Sequence, residues 1–285
     1  MCLPDGENLP ERMDGEEGLG VDRRTAILGA ACFFLTATIP GSAAASGSGG
    51  VSGRSAIALL PRQSPIDLRR SEITFVRRLR RIRFRYPRRV EVRLVNTGSP
   101  GEFATVRADV PAGAAHITLG GVRWGLEQFH WHTPSEHELE GRRTPLEMHF
   151  VHTRADGAIL VIAVFIERGR ENGAIEPMFR DLPDQPNGTR GVSGVRLRAL
   201  LPEELESFRY SGSLTTPPFT EPVRWVVLAD SISASRRQIG AFRDLFDESN
   251  SREVQPLNGR KVRSDAKRLL RPRRRPAAAR ELGAR

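Results

Sequence analysis

"EQFHWHTPSEHELE", Glu127 to Glu140, carries three of the chain's six histidines. With Leu126 in front, "LEQFHWH" has the period-two alternation of a β-strand, and the placement of the histidines rests on that reading. Side chains on a strand alternate between faces, so Gln128, His130 and His132 share one face while Phe129 and Trp131 enter a packed layer on the other. Same-face neighbours lie about 6.6 Å apart, so two imidazoles can converge on one ion above the sheet. "LEMHFVH", Leu146 to His152, offers a third: Leu146, Met148 and Phe150 form one face, and Glu147, His149 and Val151 the other. If the two segments pair, His149 completes a three-histidine set. Three neutral imidazoles bind Zn²⁺ and leave the fourth tetrahedral position to water, which separates a catalytic site from a closed structural one. Zinc brings the pKa of that water to about 7. A metal-bound imidazole usually donates its other N–H to an acceptor. Gln128 and Glu147, each two residues before a proposed ligand and on its face, suit that role. An H-x-H pair followed 17 residues later by histidine favours a metal site over three satisfied histidines. The spacing alone leaves the reaction open between metal-assisted hydrolysis and hydration.

The surrounding sequence is poor in helix signals. "EITFVRRLRRIRFRYP" and "RRVEVRLVN" read as strands, with a turn expected around Arg77 to Arg81. "HITLGGVRWGLEQFHWH", "LEMHFVHTR", "GAILVIAVFIERG" and "PVRWVVLAD" have β-branched and aromatic strand character. Two short helices are expected: "LPEELESF" opens with Pro202 and early glutamates, and "SASRRQIGAFRDLF" spaces Ile239, Phe242 and Phe246 by three and four. This pattern predicts one predominantly β domain. Both cysteines, Cys2 and Cys32, lie near the N-terminus, so metal chemistry beyond them must use His, Asp or Glu.

The formal net charge is +10, carried almost entirely by arginine, since lysine occurs only at Lys261 and Lys267. The charge is spread along the chain, which favours compositional bias over a dedicated anion-binding surface, and no nucleic-acid fold motif is present. An arginine-driven polyanion binder would use Arg77, Arg78, Arg80, Arg81, Arg83, Arg85, Arg88 and Arg89 with the basic tail. Arg23-Arg24, the apolar run from about Thr25 to Ile39 and the small residues ending at Ala43-Ala44-Ala45 have the order of an export signal of twin-arginine type. The run is too short to span a bilayer readily. The expected organisation is an N-terminal extension and signal over 1–45, a Gly/Ser-rich flexible leader over 46–62, one domain over 63–264, and a basic disordered tail over 265–285. Export to the periplasm, the cell envelope or the extracellular space is expected, with the membrane involved only through the signal.

"QSPIDL", "LVNTG", "LEQFHWHTPSEHELEG", "LEMHFVH", "FRYSGSLTTPPFTEPVRWVVL" and "QPLNGR" together resemble the α-class carbonic anhydrases, in order and spacing, from about Gln63 to Arg263. The resemblance implies an α+β, mainly β fold: a large twisted, mostly antiparallel sheet with short peripheral helices and zinc at the bottom of a conical cleft. It implies zinc-dependent reversible hydration of CO₂ to bicarbonate and a proton, by attack of zinc-bound hydroxide. His130, His132 and His149 would be the zinc ligands. Thr215 would orient the hydroxide, and Glu136 would accept the threonine's hydroxyl proton in a hydrogen bond. Val151, Val161, Leu214 and Trp225, with Thr216 on the same wall, would form the substrate pocket. Gln128 and Glu147 match positions that hold the ligands. His137 and His152 resemble structural histidines, and Asn250 and Arg252 resemble residues bracing the site from behind.

Departures from that pattern carry expectations of their own. Fast members place a proton-shuttling histidine shortly after "NTG". Here "NTGSPGEFATV" has Ser99, Pro100 and Glu102 instead, no shuttle is identified, and only His116 is unassigned. Proton transfer is then expected to limit turnover. Many secreted members carry a disulfide whose second cysteine follows "TTPP". That position is Phe219 here, so stability must come from the core. A non-enzymatic binding module of the same family is the competing reading. Inactive relatives usually lose a ligand histidine, and this chain keeps all three with Thr215 and Glu136.

Overall fold

The computed structural model describes residues 60–98, 103–246 and 249–266. The expected signal, both cysteines, most of the leader and most of the tail lie outside the described residues. So do Ser99, Pro100 and Glu102. Among the described residues no helix is long and apolar enough to cross a membrane.

The strands run in chain order as β1 (Asp67–Leu68), β2 (Ile73–Phe75), β3 (Ile82–Arg85), β4 (Val90–Asn96), β5 (Val106–Asp109), β6 (His116–Leu119), β7 (Val122–His132), β8 (Glu138–Leu139), β9 (Leu146–Thr153), β10 (Ile159–Arg168), β11 (Thr189–Val195), β12 (Ser207–Gly212), β13 (Val223–Leu228), β14 (Ile232–Ala234) and β15 (Val262–Ser264). The main sheet follows the order β11-β4-β5-β7-β9-β10-β13-β12-β15-β2, with β3, β6 and β14 attached and β1-β8 as a separate pair. Most pairings are antiparallel. The parallel ones within this sheet are β10 with β13, β10 with β14, and β15 with β2. The expected break after Val76 falls between β2 and β3, which then pair far apart, β2 with β15 and β3 with β6.

Register turns alternation into rows of side chains across the sheet. One row runs Arg107, His130, His149, Ala163, Val227, Phe208 over six strands. A second row on the same face runs Gln128, Val151, Val161, Trp225, Tyr210. The opposite face carries Phe129, Phe150, Ile162, Val226 and then Arg209 and Arg263. The central strands are covered on both sides, so β10 reads as a nearly unbroken apolar run, ILVIAVFI.

Phe129 and Trp131 are fully buried, as the alternation predicts. Behind them pack α1 (Glu176–Phe179) and α2 (Arg236–Arg243). Phe179 and Phe242 stack with centroids 5.8 Å apart, and Trp131 meets the Phe179 ring at 5.0 Å. The α2 helix starts at a capping box, in which Ser235 accepts from the Gln238 N–H and the Gln238 side chain accepts from the Ser235 N–H. It ends at Arg243, so Phe246 packs against the core from beyond the helix.

The helix expected in "LPEELESF" does not form. A 3₁₀ turn lies earlier, at Leu197–Leu200, and Ser207 onward is β12. Tertiary pairing overrides the local signal. Phe208 and Tyr210 are buried beside β13, and the Ser207 N–H donates to Asp265 Oδ1 at 2.9 Å. Ala266, beyond β15, is also buried.

Candidate metal centre

His130 on β7 and His149 on β9 are direct cross-strand partners, and His132 lies one same-face step along β7. One ring nitrogen from each of the three lies within 4.8 Å of the others. The opposite nitrogen of each ring is committed. His130 Nδ1 donates to Gln128 Oε1 at 2.8 Å, and His149 Nε2 donates to Glu147 Oε1 at 2.8 Å. His132 Nδ1 donates to the backbone carbonyl of Asn250 at 3.0 Å. These bonds leave His130 Nε2, His132 Nε2 and His149 Nδ1 as lone pairs aimed at a common point. His132 Nε2 is buried without any hydrogen-bond partner among the described residues. A buried nitrogen without a partner is costly, and a metal ion there would remove the cost. The donor set fits zinc: three imidazoles, each oriented from behind, with the Glu136 carboxylate 3.8 Å from His149 Nδ1 and outside the converging set.

Electrostatics favour the neutral form at His130 and His132. Burial holds His130 well below the ordinary imidazole range, helped by His132 and His149. Burial also lowers His132, against the opposing pull of Glu136. Burial pushes His149 down too, but the Glu147 carboxylate outweighs it and the net shift is upward. Burial would raise Glu147, yet His137 and His149 outweigh that effect and keep it well below the usual carboxylate range. Glu147 accepts three bonds: from His149, from His137 Nδ1 at 2.7 Å and from the His137 N–H at 2.8 Å. His137, Glu147 and His149 also lie close enough together to resemble a second ligand set. Their polar atoms are spent on one another, so that cluster is a hydrogen-bonded brace.

The brace extends further than the sequence foretold. His137 Nε2 meets Tyr210 Oη at 2.7 Å, and Tyr210 donates to Ser64 Oγ at 2.9 Å. Gly212 makes room for this, since a Cβ there would collide with Ser64 Oγ and the Trp225 ring. His152 is separate: its Nδ1 donates to the Phe150 carbonyl at 3.1 Å and its Nε2 pairs with Tyr86 Oη at 2.8 Å.

Above the histidines opens a cleft of about 510 Å³. The residues assigned to a pocket, Val151, Val161, Leu214, Thr215, Thr216 and Trp225, line it. The Trp225 indole donates to the Ser213 carbonyl at 2.9 Å and packs edge-on against His149 at 5.0 Å. Phe103, Thr105 and Arg107 also line the cleft and were not foreseen. Arg107 sits in register with His130 and is paired to Asp109 at 2.6 Å. The alternation of "VRAD" opposite β7 is the signal that could have found it.

Glu136 is fully buried, and its Oε1 accepts the Arg252 N–H at 3.0 Å. Its Oε2 has no hydrogen-bond partner among the described residues, so the expected bond from Thr215 is not made in this structure. The carboxylate is fixed from behind by Arg252, while Thr215 belongs to the cleft wall. Asn250 does more than brace. Its carbonyl orients His132, its Oδ1 accepts the Thr133 N–H at 2.7 Å, and its amide donates to the Ala104 and Trp131 carbonyls. Arg252 Nη1 donates to Gln63 Oε1 at 2.9 Å and to the Ser64 carbonyl at 2.7 Å, and its guanidinium lies 3.7 Å from the Phe219 ring centroid. Phe219 adopts a left-handed φ of 57° and meets Phe103 edge-on at 5.7 Å. Where the resemblance leads one to expect a disulfide, a guanidinium on an aromatic ring ties "QSP" to "TTPP", a contact type contributing roughly 0.5–2 kcal/mol.

A large sheet with three imidazoles converging on the floor of a mostly apolar cleft defines a β protein with a candidate metal site. Comparison with known proteins narrows that class: the profile of the eukaryotic-type carbonic anhydrase family matches residues 55–266, and the chain belongs to this family. A carbonic anhydrase of Pectobacterium atrosepticum is 42% identical over 159 residues, covering 55% of this chain. The match spans 64% of that relative's length. A carbonic anhydrase of Klebsiella pneumoniae is 40% identical over 174 residues, 60% of this chain and 68% of the relative. Among solved structures, the α-carbonic anhydrase of Thermovibrio ammonificans, in complex with the inhibitor sulfanilamide, superposes with a TM-score of 0.66. It is 37% identical and covers 71% of this chain and 86% of its own.

Proposed function

We propose that this protein catalyses the zinc-dependent reversible hydration of CO₂ to bicarbonate and a proton. The observation that carries the reading is the convergence of His130, His132 and His149, each with its second nitrogen committed to an acceptor. Zinc held there supplies a Lewis acid that makes water nucleophilic at neutral pH. The chain's own residues do the rest. Gln128, Glu147 and the Asn250 carbonyl fix the ring orientations, so the ligand geometry exists before the metal arrives. Val151, Val161, Leu214 and Trp225 form a dry wall suited to a linear, uncharged substrate that needs no hydrogen bonds to stay in place. Thr215 is only 4% exposed and stands in that wall. Its hydroxyl orients the nucleophile, and a donation from it to Glu136 Oε2 would satisfy that buried acceptor and fix the direction of its remaining lone pairs. Thr216 lines the same side.

His130 and His149 are the histidines lining the cleft, and His116 lies on β6 beside Arg123, at 3.3 Å. Proton release therefore depends on solvent buffer. The test is metal analysis of the purified protein together with CO₂-hydration kinetics across an imidazole-type buffer series. Stoichiometric zinc is expected, with turnover that climbs as buffer is added and is lost in His130→Ala. Metal-free, inactive protein would defeat the assignment, and turnover that stays high and flat across the series would defeat the buffer dependence alone.

The chain is exported, on the support of Arg23-Arg24, the apolar run and the Ala43-Ala44-Ala45 segment. Mass spectrometry of cell fractions should find a mature N-terminus near Ser46 outside the cytoplasm, and full-length protein confined to the cytosol would contradict this.

A further inference from the structure

A second cleft, of about 1000 Å³, lies at the β13-β12-β15 end of the sheet, where its arginines Arg209, Arg224 and Arg263 occupy the face opposite the histidines, and it shares only Ile159 and Trp225 with the histidine cleft. Among the described residues, eight Arg and Lys side chains line it, and no Asp or Glu does. Composition alone does not produce that: the whole chain has 44 basic and 34 acidic residues, so an unselected lining would include carboxylates.

Two details show that the positive charge is only partly answered inside the fold, where the Asp265 carboxylate acts on Arg209 without forming a close ion pair. Arg209 on β12 and Arg263 on β15 are direct cross-strand partners. Like charges in that position repel, and neither has an ion-pair partner within 4.0 Å among the described residues. Arg209 is held instead by neutral acceptors, the Arg80 carbonyl at 2.6 Å and Ser207 Oγ at 3.1 Å. Beside them, Arg154 and Arg224 both lie over the Trp124 ring, at 5.3 and 5.7 Å. Trp124 is 3% exposed and its indole N–H is buried without a hydrogen-bond partner. Of these four arginines only Arg154 has a carboxylate within 4.0 Å among the described residues, the exposed Asp156. Arg80 closes the rim, with its guanidinium over Gly120. Leu119, Val122 and Ile159 supply an apolar strip alongside.

We propose that this cleft binds a ligand bearing linked phosphoryl groups. Guanidinium forks match phosphate oxygens bidentately, and several cations converging without carboxylates match a ligand of several negative charges better than a monoanion such as bicarbonate. The chemistry is shared by soluble oligophosphates and by phosphate-bearing lipid headgroups, whose carbon body the apolar strip would meet.

The test uses the full chain with two probes: inorganic tripolyphosphate by calorimetry, and vesicles of cardiolipin, whose headgroup joins two phosphodiesters through one glycerol, against phosphatidylcholine vesicles by co-sedimentation. The double variant Arg209→Gln/Arg263→Gln should weaken binding at least tenfold. A control, Arg83→Gln/Arg85→Gln, removes the same charge from exposed β3 positions outside the cleft and should stay within twofold. CO₂ hydration should be unchanged in both. Tripolyphosphate should raise the thermal midpoint of the wild type and fail to do so in the cleft variant, a readout independent of activity. Binding of tripolyphosphate supports the site with a soluble source, and binding of anionic vesicles alone supports it with a lipid source. No binding of either probe, or an equal loss in the control variant, overturns the proposal.

Discussion

The two faces of one sheet handle charge in opposite ways. On the metal face, the groups around the histidines are largely answered from within the fold: Glu147 takes three donors, Asn250 orients His132 and Arg252 holds one oxygen of Glu136. On the other face the core row Phe129, Phe150, Ile162, Val226 ends in Arg209 and Arg263, which face each other with no ion-pair partner within 4.0 Å among the described residues. The difference comes from burial. A charge removed from water must be paired or it destabilises the fold by several kcal/mol. Arginines that keep contact with solvent, as Arg263 does, can stay unpaired at small cost. The metal face is thus internally satisfied apart from the ligand nitrogens and Glu136 Oε2, and the basic face is left to an external partner.

The sharpest way to break this contrast is Glu147→Ala. It strands the His137 and His149 donors in a dry interior, so unfolding free energy should fall by about 3–5 kcal/mol. Metal affinity should drop roughly 10- to 100-fold. Chemical denaturation and a competitive chelator titration would check both, and a loss below about 1 kcal/mol, the scale of an ordinary net hydrogen bond, would mean that the brace is not the site's support.

His152 gives a pH-dependent version. Burial lowers its pKa to about 3, so it is neutral in the folded protein and protonates near its ordinary value of 6.5 only on unfolding. Between those values the unfolded state binds the extra proton, so stability rises with pH. The contribution is complete above about pH 6.5 and is lost as pH falls toward 3, at up to about 1.4 kcal/mol per unit. Denaturation curves from about pH 7 to 4, spanning most of that window, should show this slope in wild type and a flatter one in His152→Gln. Equal slopes would remove His152 as their source.

The smallest effect tests the basic face. Arg263→Gln relieves the cross-strand repulsion and should stabilise the free protein by about 0.2–1 kcal/mol at low salt. The gain should shrink as salt screens it. A destabilised variant would show that Arg263 is already compensated.

The central site was readable because its logic is local. Alternation in "LEQFHWH" and "LEMHFVH" assigned His130, His132 and His149 to one face, with Gln128 and Glu147 two residues before their ligands, and register then made His130 and His149 partners. The segment "LPEELESF" shows the limit of local reading. Its prolyl start and glutamates signal a helix, but the pairing of Ser207 with Leu228 claims its end for the sheet.

What the sequence determined, then, is which residues could hold a metal and which face of each strand they occupy, because a two-residue period is a property of the strand itself. Only the tertiary structure decided that a backbone carbonyl 118 positions along the chain orients His132, that Tyr210 and Ser64 extend the brace behind His137, and that Arg107 joins the cleft. A carbonyl has no signature in a sequence, and contacts between distant segments depend on strand order and register. The same holds for the basic cleft. Its arginines lie scattered in the chain as apparent compositional noise, and the register of β12, β13 and β15 brings Arg209, Arg224 and Arg263 onto one side, where Arg62, Arg78, Arg80 and Arg154 join them from other segments.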